Sequence, residues 1–171
     1  LFRSATPFGY ASAVDGNLYS VDLATGTPTL IGAMGNVGLM ESLAIDAGGN
    51  LFGADTGGFL YSINTSTGAA TAIGNASQGN IEALDFNGST LVGVNFNDPA
   101  TAFSINTGTA AASSIVTASS STGVVRAGTI QSASTMLIRG DGGLGCSGNC
   151  LFSLNLGSGA VSLIGAMNAN G

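Results

Sequence analysis

Few side chains in this sequence can do acid–base, nucleophilic or ligating chemistry. The 171 residues carry nine carboxylates, three arginines, three tyrosines and two cysteines, and no His, Lys or Trp. A Ser-His-Asp or Cys-His arrangement is therefore excluded, and acid–base work falls to carboxylates. Glu41 and Glu82 open matching phrases of the chain, and Arg126 takes the comparable place in a third copy. Two glutamates around an arginine at a channel mouth would make an ion-pair ring or a small-ligand site. The plainer reading is that these residues end strands and keep a channel hydrated.

Asp55, Asn95 and Asp141 form a second series. Their oxygens are of the kind that holds Ca²⁺, but the EF-hand spacing is absent, and "GADTGG" and "RGDGG" read as ordinary turns. No metal is expected. "GDGGLG" is followed neither by Lys-Ser/Thr nor by a helical pattern, so it is no phosphate or dinucleotide loop, and no cofactor is expected. Arg139, Gly140 and Asp141 spell the RGD tripeptide, a match that arises easily by chance. Asn64, Asn75 and Asn87 begin N-x-S/T sequons, which matter only where the source glycosylates.

The cysteines, Cys146 and Cys150, lie in "GCSGNC". A C-x₃-C pair in a Gly/Ser stretch can close a small disulfide ring. Free thiols are the alternative, and half of a metal site is the weakest reading, because zinc takes about four ligands and there is no second pair. A disulfide places the protein in an oxidising compartment.

The elements that must position these residues are legible as a repeat. "LYSVDLATGTPTLIG" (18–32) returns as "LYSINTSTGAATAIG" (60–74), more weakly from Ala102, and as "LFSLNLGSGAVSLIG" (151–165). The first three copies are spaced by 42 residues, and the last step is 49, with the excess at "GDGGLGCSGNC". That insertion reads as a loop pinned by its own bridge. A second phrase, "ESLAIDAGGNLFGAD" (41–55), returns as "IEALDFNGSTLVGVN" (81–95) and "RAGTIQSASTMLIRG" (126–140). Each unit reads as four short runs with period-two alternation, which is strand and not helix. "DAGGN" and "DFNGS" suit tight hairpins, and "DLATGT" and "NTSTGA" suit turns closed by a left-handed residue. Asp22, Asn64, Asn106 and Asn155 follow the third run, where an Asx side chain caps the turn.

Four strands per unit of about 42 residues is the size of a β-propeller blade. The expectation is an all-β propeller of four-stranded antiparallel blades, about four in this chain, at 1–32, 41–74, 81–117 and 124–165 with a tail at 166–171. Leu1 aligns with Leu43, inside a first strand, so the first unit reads as truncated. "LIGAMNANG" (163–171) copies "LIGAMGNVG" (30–38), which leads into a further blade, so the ends read either as cut from a longer array, this chain being a four-blade fragment of a larger propeller, or as closed by something outside this chain.

Charge and composition narrow the partners. Charged residues make up 7% and the net charge is −6. Three scattered arginines cannot neutralise a phosphate backbone, so no nucleic acid partner is expected. No apolar run approaches the roughly 18 residues of a membrane span. The surface is instead Gly, Ala, Ser, Thr and Asn, a composition common on extracellular proteins and in dense assemblies.

The repeated L-Y-x-I-D-x-x-T-G-x-x-T-x-I-G phrase, followed by D-x-x-G-x-L-Y/F-G, resembles the blades of secreted bacterial propeller proteins of the quinoprotein-like and uncharacterised repeat type. The resemblance implies export and blade-forming roles for the motif residues. Quinone-binding members use Trp-rich docking motifs, which this sequence lacks.

These observations lead to one expectation: an extracellular or cell-surface, non-enzymatic propeller acting as a structural or binding module. Its partners would be copies of itself, joined through incomplete end blades into a ring or filament, or an extracellular protein or glycan. The alternative is a carboxylate-dependent hydrolase or lyase acting on a sugar or lactone through Glu41 and Glu82.

Overall fold

The computed structural model describes residues 8–167 and is all-β. Four antiparallel sheets form the blades of a β-propeller, each built from strands consecutive in sequence. Blade 1 holds β1 (Phe8–Ser12), β2 (Asn17–Asp22) and β3 (Pro28–Ala33). Blade 2 holds β4 (Met40–Ile45), β5 (Leu51–Asp55), β6 (Phe59–Ile63) and β7 (Ala70–Asn75). Blade 3 holds β8 (Ile81–Asn87), β9 (Thr90–Asn95), β10 (Thr101–Ile105) and β11 (Ala112–Thr117). Blade 4 holds β12 (Val125–Ser132), β13 (Thr135–Gly143), β14 (Cys146–Asn155) and β15 (Val161–Ala166). The strand remnant expected at Leu1 lies outside the described residues, as does the tail beyond Met167.

The turns form as their residues require. Asp22, Asn64, Asn106 and Asn155 each accept two turn N–H groups through Oδ1. Each turn then closes on a left-handed residue: Gly26 at φ 72°, Gly68 at 81°, Ala110 at 60° and Gly159 at 74°. Ala110 stands where the other three turns carry glycine. Its methyl group is fully buried in the core between blades 2 and 3.

Period-two alternation gives each blade two faces, and three cores fill the three junctions between successive blades. Leu18 and Met34 meet Met40, Leu51, Tyr61 and Ile63 between blades 1 and 2. Phe52, Ala54 and Leu60 meet Leu91, Phe103 and Ile105 between blades 2 and 3. Val92, Val94 and Ala102 meet Met136, Ile138, Phe152 and Leu154 between blades 3 and 4. Polar cross-links tie the inner strands: Ser42 Oγ donates to the Ile81 carbonyl at 2.8 Å, and Asp85 accepts from Thr129 Oγ1 and the Ile130 N–H at 2.7 Å each.

The same register shift recurs in all four blades between the third and fourth strands of the repeat. Leu18 pairs with Gly32 but Tyr19 with Leu30, which leaves Ile31 unpaired. Ile73, Ile115 and Ile164 are skipped in the same way. Each is the extra residue of a β-bulge, which bends and twists the outer strand.

The insertion in blade 4, expected as a loop pinned by its own bridge, carries the bridge but is paired strand rather than loop. It lengthens the β13–β14 hairpin, with Gly142 paired to Ser147 and Gly143 to Cys146. The Cys146–Cys150 disulfide is formed within β14.

Candidate functional site

The sequence-predicted trio shares one structural origin. Glu41 is skipped between the Met40–Asp55 and Ser42–Ala54 pairs of its blade. Glu82 is skipped between Ile81–Asn95 and Ala83–Val94, and Arg126 between Val125–Gly140 and Ala127–Arg139. Each therefore sits in a bulge at the start of the first strand of its blade, and a bulge re-aims its side chain. The trio occupies one level of three adjacent blades.

The geometry joins them electrostatically. Arg126 Nη1 lies 3.8 Å from Glu82 Oε1, and its Nε donates to Asp141 Oδ2 at 2.9 Å. The guanidinium also stacks over Phe96, 4.6 Å from the ring centre, a favourable cation–π contact. Glu82 is only 6% exposed and accepts from Asn80 Nδ2 at 2.8 Å. Burial, and then the charge of Glu41, push the Glu82 carboxyl above the ordinary glutamate range, against the pull of Arg126 and Asn80. The hydrogen bond and charge of Asp141 push the Arg126 guanidinium further up, although burial opposes them. Asn80 Oδ1 is enclosed and has no hydrogen-bond partner. Chemically this is a charge chain with one proton-retentive carboxyl and one free acceptor.

The chain of charges continues outward to residues that the sequence did not single out as a group. Asp141 Oδ1 lies 3.5 Å from Arg139 Nη2, which donates in turn to Asn149 Oδ1 inside the disulfide-closed segment. Asn80 and Phe96 carried no repeat signal because they stand in connections where the blades differ, and Asn149 because it lies in the part of β14 that only blade 4 has.

Asp55, Asn95 and Asp141 have separate structural duties. Asp55 is 4% exposed and accepts from the Gly57 and Phe59 N–H groups, the Tyr61 hydroxyl and the Gly38 N–H. Asn95 Oδ1 accepts from the Thr101 N–H. No three His, Cys, Asp or Glu side chains converge in a metal-holding group among the described residues. The RGD tripeptide lies in β13, with Arg139 and Asp141 paired to each other. Of the sequon asparagines, Asn75 and Asn87 donate their amide N–H to the backbone carbonyls of Gly57 and Ala133.

Blades 1 and 4 differ from the internal junctions in burial. Leu18 and Leu60 are 0% exposed at a blade junction, and so is Ala102 at the same repeat position. Leu151 takes that position in blade 4 and is half-buried beside Leu137, Ala127 and Met167, around an apolar hollow of about 330 Å³. In blade 1, Tyr19 stands where Tyr61, Phe103 and Phe152 are buried against the preceding blade, and it is only half-buried. Its hydroxyl donates to Asp15 at 2.6 Å. No helix among the described residues is long and apolar enough to cross a membrane.

No family model matches the chain, and no curated protein matches it in sequence. Solved structures do match in shape. A protein of unknown function from Bacteroides thetaiotaomicron shares 18% identity at TM-score 0.68, over 91% of this chain and 44% of that one. A chain of the nidogen/laminin complex shares 12% identity at TM-score 0.63, over 89% and 57%. The computationally designed Ika8 protein shares 14% identity at TM-score 0.53, over 95% and 46%. The chain thus spans about half the length of these solved structures, and the likeness is one of fold: an array of propeller blades.

Proposed function

We propose that this chain is a non-enzymatic structural or binding module that works outside the cell and assembles with copies of itself through its end blades. The observation that carries the reading is the pair of uncovered blade faces. Positions that are buried at the internal junctions are only half-buried at Tyr19 in blade 1 and at Leu151 in blade 4. Apolar area left in water costs about 25 cal/mol per Å², so each face gains by being covered. The disulfide supports an oxidising location. The scarcity of charge favours close packing, since few ions need desolvation when surfaces meet.

The rival reading is a hydrolase or lyase using Glu41 and Glu82, and the raised Glu82 carboxyl is the observation in its favour. Against it, Glu82 is enclosed and held by Asn80 and Arg126, so substrate access would require opening that pair.

Light scattering on the native protein tests the reading. Assembly predicts a mass that rises with concentration above the 16.6 kDa of one chain. A constant single-chain mass contradicts it.

A further inference from the structure

Blades 2 and 3 are open to ligands at one end of their strands. At that end Ile45 pairs with Leu51 and Ile63 with Ala70 in blade 2, and Phe86 pairs with Leu91 and Ile105 with Ala112 in blade 3. Three hollows lie along it, all within these two blades. One of about 430 Å³ lies on blade 2, from Gly49 and Asn50 to Ser62 and Thr71. One of about 470 Å³ lies on blade 3 and is built from the equivalent positions: Thr90 for Asn50, Ser104 for Ser62, Asn106 for Asn64 and Ser113 for Thr71. A third, of about 430 Å³, joins them. It shares Ser89 and Thr107 with the hollow on blade 3, and its wall at Gly48 continues into Gly49 of the hollow on blade 2. Glu41, Glu82 and Arg126 stand at the opposite end of the strands.

The lining has one chemistry throughout. Among the residues around the three hollows, Asp46 is the one charged side chain and Phe86 the one aromatic. The remaining polar side chains are hydroxyls and amides, and Ser62, Thr71, Ser89, Thr90 and Ser113 are exposed. A hydroxyl both donates and accepts, so the lining matches a ligand whose own groups do both and carry no charge. Phe86 is half-buried, its ring tilted against Phe52 at 5.8 Å between centres. The core between blades 2 and 3 therefore holds it in place. Asp46, on the same hollow, is fixed by its own hairpin. Its Oδ1 accepts the Gly48 and Asn50 N–H groups at 2.9 and 2.8 Å, and its Oδ2 accepts Asn50 Nδ2 at 2.8 Å. That Oδ2 retains acceptor capacity for a further donor.

We infer that this groove binds a neutral oligosaccharide laid across blades 2 and 3, with one sugar packed on Phe86 and its neighbours held by Asp46 and by the serines and threonines on either side. A pyranose presents a face of C–H groups and a rim of hydroxyls. The Phe86 ring supplies an apolar surface for the first, and the fixed Asp46 carboxylate and the lining hydroxyls supply acceptors and donors for the second. Two hollows of the same residues in successive repeats suit a ligand that is itself a chain of repeating units, and joining units in one chain raises affinity through effective concentration. A peptide fits less well. The lining holds no cation for its carboxylates, and the outer strands of both blades carry a bulge, at Ile73 and Ile115, which turns their edges away from strand addition. The inference goes beyond the assembling reading and uses neither face on which that reading rests.

Calorimetric titration of the full chain with cellohexaose, xylohexaose, mannohexaose and N-acetylchitohexaose tests the inference. At least one is expected to bind with a Kd tighter than about 1 mM, and the disaccharide of the same sugar more weakly. Phe86→Leu keeps an apolar side chain in the core and removes the ring. Ser89→Glu puts a charge where two hollows meet, at an exposed position. Each is expected to weaken binding by about tenfold or more, which is the loss of one good contact. Val14→Ser, at a residue 90% exposed beside the opposite end of the strands, is expected to leave binding unchanged. Thermal melts establish that each variant is folded, and Ser89→Glu, on the surface, carries the test if Phe86→Leu is not. The inference is overturned if none of the four hexasaccharides binds, if the folded groove variants bind like the wild type, or if hexagalacturonate or a Ser/Thr-rich peptide binds more tightly than every neutral sugar. A single-chain mass by light scattering would overturn the assembling reading and leave this one standing, and absent sugar binding would do the reverse.

Discussion

Glu82 and Arg126 are each the unpaired residue of an inner-strand bulge in adjacent blades, and their side chains meet across the blade boundary at 3.8 Å. The pairing couples blade 3 to blade 4 near the start of their first strands. It also fixes how the region responds to pH, because the carboxyl is enclosed while the guanidinium is open to water.

The Glu82 carboxyl titrates above the ordinary glutamate value of 4.5, through burial and then repulsion by Glu41. The folded chain thus keeps a proton that the unfolded chain has released, and this group's contribution to stability falls as pH rises through the window above that value. Glu82→Gln is expected to flatten the fall and to be neutral or stabilising near pH 7. Denaturant melts across that window measure it. An unchanged slope contradicts the assignment.

Tyr61 titrates at about 12, pushed up from 10.0 by burial, by its hydrogen bond to Asp55 and by the Asp55 charge. The neutral phenol's stabilisation is complete below pH 10 and is lost as pH rises towards 12. An ultraviolet titration of the three tyrosines is expected to show Tyr61 ionising near 12, in step with unfolding. Tyr61→Phe removes that step and costs about 1–2 kcal/mol for the lost bond to a carboxylate.

The Cys146–Cys150 bridge closes a ring between residues four apart in sequence. Loop-entropy arguments give so short a ring about 2 kcal/mol. Replacing both cysteines with Ser is expected to lower stability by that order, more in so far as Cys150 is fully buried. The change also frees Asn149 from its place beside Arg139. Melts in the presence and absence of reductant measure the first effect, and protection of the Arg139 side chain from a guanidine-modifying reagent measures the second.

Gly32 and Gly165 hold the same place in two blades, one filled and one open. Gly32→Ala forces the Thr67 turn away and is expected to cost about 1–3 kcal/mol, the usual range for overpacking. Gly165→Ala, measured at dilutions that keep chains apart, is expected to stay within about 0.5 kcal/mol of wild type. Equal losses at the two positions would contradict the difference between the junctions.

The repeat spacing exposed the blade units because the Leu, Tyr, Asx and Thr-Gly positions must recur wherever one blade packs on the next. Asp22, Asn64, Asn106 and Asn155 were legible as caps for the same reason. The bulges were not. Ile31 and Ile73 suit a paired strand residue as well as a skipped one, and only the ladder shows that they are skipped. The burial of Glu82 against the openness of Arg126 was equally hidden, since matching positions in different blades have different neighbours. The β13–β14 extension read as a loop because its Gly and Ser residues favour turns, whereas hairpin pairing and the disulfide hold it as strand. Leu151 spells the same residue as Leu18, and nothing in the letters tells a covered leucine from an open one.

The most direct test of the account uses two methionines of one repeated pentapeptide. Met34 is covered by blade 2, and Met167 is open in the single chain. Oxidation of Met to its sulfoxide follows access to the sulfur. Peroxide treatment of the wild-type protein over a dilution series, read by peptide mass, is predicted to show Met167 oxidising freely in dilute solution and slowing to the rate of Met34 as the chains assemble. A Met167 that oxidises at one rate at every concentration would contradict the proposed assembly through the end blades.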